Sequence, residues 1–319
     1  MKKALAVFLL CAALLPLSAE VPKDGLALAD AALQSGEADR ALSLLSAMPE
    51  SADVHNLRCR TYFALGRWDE AASECDQAVR LNGGSSIDHL WLGRALGEKA
   101  DNASFLAAFN LAKRARSEFE QAVTLDSRNG EALTDLGEFY TSAPGVVGGG
   151  VDKAQTLVTP LQNVDPARAH ILLARIAESR KDLGTAEREF KTAATSSEHP
   201  AFAWMTLASF YRKHERWDDM EAAVDSGYRA AQHDRRAGVA LYNGASVLIR
   251  GKRNLALAKK MLEDYLANYP RTEEGPAFEA YTRLAKVNAQ LGDRNSAWQA
   301  RAEALKLAHD YRPALGLKF

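Results

Sequence analysis

A short pattern of leucine, a small residue and an aromatic returns along this chain, and it limits the possible folds more than any other feature. Trp204, Leu207, Ala208 and Tyr211 read W-x2-L-A-x2-Y, and Leu133, Leu136, Gly137 and Tyr140 read L-x2-L-G-x2-Y. Leu92, Gly93 and Leu96 keep that spacing, as do Leu284 and Ala285. A second pattern alternates with the first: Ala71-x3-Cys75-x2-Ala78, Ala115-x3-Phe119-x2-Ala122 and Ala186-x3-Phe190-x2-Ala193. Steps of three and four place these residues on one face of a helix. Small residues such as Gly93, Gly137, Ala174 and Ala208, with Ala71, Ala115, Ala186 and Ala297, mark where two helices of a pair come close. Ser35-Gly36-Glu37, Leu65-Gly66-Arg67 and Leu291-Gly292-Asp293 are turn signals between helices. One pair cannot bury its apolar stripe, so neighbouring pairs must stack into a continuous core.

The two alternating patterns resemble the tetratricopeptide repeat, a helix–turn–helix of about 34 residues. Pro166 and Pro270 close two of the units. The resemblance covers essentially all of residues 20–319. It implies an all-α, right-handed superhelical solenoid in one domain, binding a protein or peptide without catalysis. Eight units are expected, beginning near Pro22, Ala52, Ser86, Gly130, Ala167, Ala201, Gly238 and Phe278. Three depart from the period. The third unit carries about ten extra residues around 99–110, the fourth about five in 143–150, and the seventh about two near Gly251–Asn254. The fourth unit's Pro144-Gly145-Val146-Val147-Gly148-Gly149-Gly150 is similar to a PGhhGGG loop of exported bacterial tetratricopeptide proteins.

Residues 1–19 read as a signal peptide. Lys2 and Lys3 precede an apolar run from Ala4 to Leu17, too short for an ordinary span and broken by Pro16. Ser18 and Ala19 suit cleavage after Ala19, and Cys11, with no small residue before it, argues against a lipoprotein. An uncleaved anchor is the alternative. Cleavage removes two lysines and no acid, taking the formal net charge from −1 to −3. Neither value supplies a basic field for nucleic acid, and no second apolar stretch of spanning length follows. The expected setting is the periplasm or the exterior. With 47% hydrophobic and 25% charged residues the composition excludes a disordered chain.

No catalytic, cofactor or metal motif stands out. Histidines 55, 89, 170, 199, 214, 233 and 309 lack ligand spacing to one another, so packing and surface roles are expected of them. Gly145–Lys153 is not a phosphate loop, because it follows a helix and lacks the G-x-x-x-x-G-K-[ST] order. Asp218-Asp219 and Glu273-Glu274 read as solvated acids at turns, and Lys113-Arg114-Ala115-Arg116 as a solvated basic stripe. An enzyme or accessory subunit with an unrecognised site remains the alternative to a binding scaffold.

Two candidate binding regions follow from the repeat. First helices should line the concave face, where Asp30, Arg60, Arg94, Glu138, Arg175, Ser209, Ala245 and Lys286 form one row. Arg60 and Arg94, with Asn56 a turn before Arg60, suit a carboxylate, unless Asp30 and Glu138 neutralise them. The extra residues of units three and four lie on one edge and should meet, bringing Phe105, Leu106 and Phe109 to Val146 and Val147 as a partner patch or a seal. Cys59 and Cys75 face each other within unit two, either as a disulfide or as two packed thiols.

Overall fold

The computed structural model describes residues 23–319; the expected signal peptide at 1–19 lies outside them. No strand occurs among the described residues. The chain runs through eight antiparallel helical pairs: α1 (Lys23–Gln34) with α2 (Ala38–Ser46), α3 (Ala52–Ala64) with α4 (Trp68–Leu81), and α5 (Ser86–Asp101) with α6 (Phe105–Leu125). Next comes α7 (Gly130–Ser142), whose partner is split into α8 (Val151–Thr156) and α9 (Val158–Val164). Then follow α10 (Pro166–Ser179) with α11 (Leu183–Ser196), α12 (Pro200–Lys213) with α13 (Trp217–Ala231), and α14 (Gly238–Gly251) with α15 (Leu255–Asn268). The last pair is α16 (Ala277–Gln290) with α17 (Arg294–Leu307), and the single turn α18 (Arg312–Leu315) ends the helical part. From the second unit on, the starts match the sequence expectation to within a residue, and the expected start at Pro22 lies outside the described residues.

Local chemistry sets these boundaries. Ser51, Ser85, Asn129 and Asp165 each precede a first helix and accept a hydrogen bond from the backbone N–H three residues on, at 3.0–3.2 Å. Pro166 then opens α10, where its missing N–H costs nothing. Pro160 has the opposite effect. It cannot donate to the Thr156 carbonyl, and the unit-four second helix breaks at Leu157.

Pairs close on small residues, as the pattern requires. Within the third pair a Cβ on Gly93 would stand 2.6 Å from the Phe119 ring, whereas the within-pair approach expected at Gly137 falls between units, where a Cβ would stand 2.8 Å from Leu172 of α10. Cys59 and Cys75 are joined as a disulfide across α3 and α4, with Cα atoms 5.2 Å apart. The buried stripes merge from unit to unit, through Leu92, Leu133, Leu161 and Leu172 and on through Met205, Leu241, Met261 and Tyr265.

Sequence patterning gave no hint of how far the stack turns. Units one and two meet unit eight. Ala38 and Leu65 pack with Phe278, Ala308, Tyr311 and Ala314 in one buried cluster, and the Phe278 and Tyr311 rings lie 4.8 Å apart. Gly36 approaches the Ala277 backbone so closely that a Cβ there would collide with it. Polar contacts rim this junction: Arg67 Nη1 donates to Asp310 at 3.1 Å and the His309 amide to Asp39 at 2.9 Å. The solenoid therefore closes on itself.

Candidate functional site

Closure turns the concave face into a lumen of about 890 Å³, lined from the first unit to the eighth. First helices supply most of its wall, and Trp68 of α4, the turns at 199 and 234–237 and the 272–276 segment before α16 supply the rest. Arg60, Arg94, Glu138 and Arg175 of the expected row all lie there.

The two arginines do not stand ready for an incoming anion. Arg60 donates to Glu273 at 2.9 and 2.6 Å and to Asp30 at 3.1 Å. Burial opposes its charge, but those carboxylates outweigh burial and hold the guanidinium above its usual range. Arg94 reaches Asp135 at 2.5 Å and Glu131 at 2.9 Å, with the same balance and the same direction. Glu138 pairs with Arg175 at 3.2 Å, and not with Arg94. The Asn56 amide is also engaged, donating to the buried Asp88 at 2.6 Å. Neutralisation by neighbours, one of the two sequence alternatives, describes these side chains, although most of the partners differ from those expected.

Sequence reasoning misses the aromatic side chains of the lumen. Trp91 stacks between the Arg60 and Arg94 guanidinium groups, 5.7 and 4.7 Å from its ring centroid. Phe63 meets Trp91 and Trp68 edge-on, at 5.4 and 5.2 Å. Phe202, 46% exposed, lines the lumen from α12. Helical spacing could have found these residues. Phe63 and Trp91 lie three residues from Arg60 and Arg94, and Phe202 lies seven from Ser209. Glu273 and Glu274 also differ from the solvated turn acids that the sequence suggests. Closure puts Glu273 on Arg60 and on the Gln34 side-chain amide, which donates to it at 3.1 Å.

Glu274 also lines the lumen. Its side chain is exposed in the lumen, yet the surrounding wall desolvates it enough to raise its carboxyl, and Glu131 adds to the rise against the pull of Arg94 and Arg168. Burial likewise raises Asp135, despite its bond to Arg94.

The edge residues form a different picture. Residues 143–150 fold as one tight 3-10 turn, with Gly148 at φ 98° pressed on the Arg116 side chain of α6. Val147 is buried there, while Val146 is 75% exposed. Phe105 and Leu106, at the start of α6, are 85% and 78% exposed, so these side chains do not cover Val146. Phe109 is half-buried, with Lys113 Nζ 5.3 Å from its ring centre.

Six histidines rest on carboxylates. Three hold one repeated position: His55, His89 and His170 lie 2.6, 2.6 and 2.8 Å from Glu74, Glu118 and Glu189 of the second helix in the same unit. Asp39, His309 and Asp310 cluster at the closure, but Asp39 already accepts from His309 and Asp310 from Arg67.

Residues 32–88 match the family model of the tetratricopeptide repeat. A search of curated proteins gives no match. Among solved structures, the chain is similar to TTC0263, a thermophilic TPR protein of Thermus thermophilus, at 18% identity and TM-score 0.49, covering 58% of this chain and 96% of that one. It is similar to pilF of Pseudomonas aeruginosa at 13% identity and TM-score 0.37, covering 83% and 95%. The yeast Tom70 structure gives 19%, 0.47, 83% and 62%. With identities and scores this low, the fold class rests on the helix pairs and the family match. Together these define an all-α solenoid of tetratricopeptide-type helix pairs.

Proposed function

We propose that this chain is an exported, non-catalytic adaptor of the bacterial cell envelope that holds a segment of a partner protein in its lumen. The lumen carries this reading. It is a concave site of ordinary ligand-pocket size, walled by rigid helices, with aromatic anchors beside fixed polar groups. Such anchors are the residues that dominate protein–protein affinity. Two features support export: the signal-like residues 1–19, and the Cys59–Cys75 disulfide, of a kind that persists in oxidising compartments. No described helix is long and apolar enough to cross a membrane.

Reversing Arg60 and Arg94 would be a poor test, because it would set new acids against the carboxylates that now neutralise them. Phe202→Arg is cleaner, since Phe202 is half-exposed and pairs with no charge. The mature protein, purified from an envelope fraction and used as bait, should retain a partner that Phe202→Arg loses while keeping its helical melting curve. Equal recovery by both would refute the lumen as the binding site, and a reporter fused to residues 1–30 that stayed in the cytoplasm would refute export.

A further inference from the structure

The charge balance of the lumen identifies the kind of segment it holds. Five arginines line it against seven carboxylates, and no lysine does. Four of the five arginines are held by a carboxylate within 3.2 Å, and only the largely exposed Arg236 keeps a looser approach. Beyond the pairs of Arg60, Arg94 and Arg175, Arg168 sits 3.2 Å from Asp165 and Arg236 3.8 Å from Asp234. Away from Arg236, an incoming carboxylate would have to displace one of these partners. An incoming cation would displace nothing, because Glu274 has no hydrogen bond or ion pair among the described residues. The single guanidinium of Arg94 already serves Glu131 and Asp135, and no further donor reaches Glu274.

The same lumen also has an apolar wall. Phe202, Ile171 and Val239, from α12, α10 and α14, face the same cavity without a charge of their own. A ligand that satisfies both walls carries a cation and an apolar side chain close together. The volume suits a few residues in extended form and excludes a folded domain.

We propose that the lumen takes a short extended peptide segment bearing lysine or arginine, with its cation against Glu274 and an adjacent apolar side chain on the Phe202 wall. This rests on the adaptor reading above and names its ligand. Partial enclosure by the lumen wall makes a charge-assisted contact at the exposed Glu274 stronger than on a flat surface. Desolvation by the surrounding wall is the first cause of the raised carboxyls of Glu274 and Asp135, and neighbouring acids add to it.

The test uses the mature chain with its disulfide intact. The probe is the hexapeptide Ala-Leu-Lys-Ala-Leu-Ala, acetylated and amidated at its ends, beside a twin with glutamate for lysine. Binding is followed by calorimetry and by the fluorescence of Trp68 and Trp91. The lysine peptide should bind at least about tenfold more tightly than its glutamate twin, the scale of one charge-assisted hydrogen bond. Glu274→Gln should erase most of that preference while melting no lower than the wild type, since the exchange removes an ionised carboxylate that the fold holds at a cost. Phe202→Arg should weaken both peptides. Equal affinity for the two peptides, or a preference surviving in Glu274→Gln, overturns the cation assignment while leaving the adaptor reading in place. Peptide binding that ignores Phe202→Arg overturns the lumen itself. Binding of spermidine with none of either peptide overturns the peptide assignment.

Discussion

Single side chains in this protein do two different jobs, and their titration separates them. Glu187 of α11 accepts from Arg216, Lys191 and Tyr211, the Lys191 and Tyr211 bonds at 2.7 and 2.9 Å. The Arg216 hydrogen bond is the largest cause of its carboxyl falling from the usual 4.5 to about 2. A carboxyl lowered by folding contributes stability above its unfolded value and loses it as pH falls through the folded one. The melting temperature of the wild type should therefore fall between about pH 4.5 and 2, and in Glu187→Gln that part of the fall should be missing. A second check concerns the cysteines. Alkylation of denatured, unreduced mature protein should find no free thiol at Cys59 or Cys75, and reduction should cost about 3 kcal/mol by the loop-closure relation for so short a loop. At this scale the sequence was readable wherever a residue's role follows from its own helix or the next one. Cys59 with Cys75 was such a case, and so was the small residue Gly93, whereas Gly137 admits Leu172 of the following unit. Glu273 was not, because its partner Arg60 lies 213 positions away and reaches it only through closure.

Helices and their insertions were legible to nearly the same depth. From the second unit on, starts came within a residue because caps such as Ser51, Asn129 and Asp165 sit where a pattern begins. The split of the unit-four second helix at Leu157 was not anticipated, although Pro160 announces it. The 143–150 turn was recognised as an insertion, but its lock was hidden in contacts. The Gly150 amide donates to the Tyr140 carbonyl at 2.8 Å, Lys153 Nζ donates to the Gly148 carbonyl at 2.9 Å, and Val147 is buried. These contacts fasten the turn to α7 and α6. Replacing Val146–Gly149 by a short polar turn should lower the melting temperature, and truncating Val147 alone should cost about 1–2 kcal/mol. A truncation of Val146, which is exposed, should cost well under that. Thermal denaturation of the three variants reads the order directly. Equal losses for Val146 and Val147 would contradict the burial difference between them.

On the scale of the whole molecule, closure changes what the repeats can do. An open superhelix offers a groove that any extended chain can enter from the side. A stack whose first units pack on its last offers an enclosed lumen, and the groups within it act on a ligand with less competition from water. Closure also explains why Arg60 is engaged, whereas Arg94 and Arg175 are held by acids of adjacent units. Arg60 bridges the first and last quarters of the chain, and removing either it or Glu273 would strand a largely buried charge, at a cost on the order of 3–5 kcal/mol. Repeat patterning sets the pairs and their stacking but fixes no total rotation, since each unit contacts only its neighbours. The junction is written instead in residues with no repeat equivalent, above all Phe278, Tyr311 and the glycine at 36. Small-angle X-ray scattering of the mature protein in solution tests closure most directly. A closed solenoid of this length should give a radius of gyration near the compact-chain value of about 19–20 Å, with a distance distribution that ends sharply. A long-tailed distribution and a radius well above that range, as an open superhelix would give, would contradict the closed ring and the lumen with it.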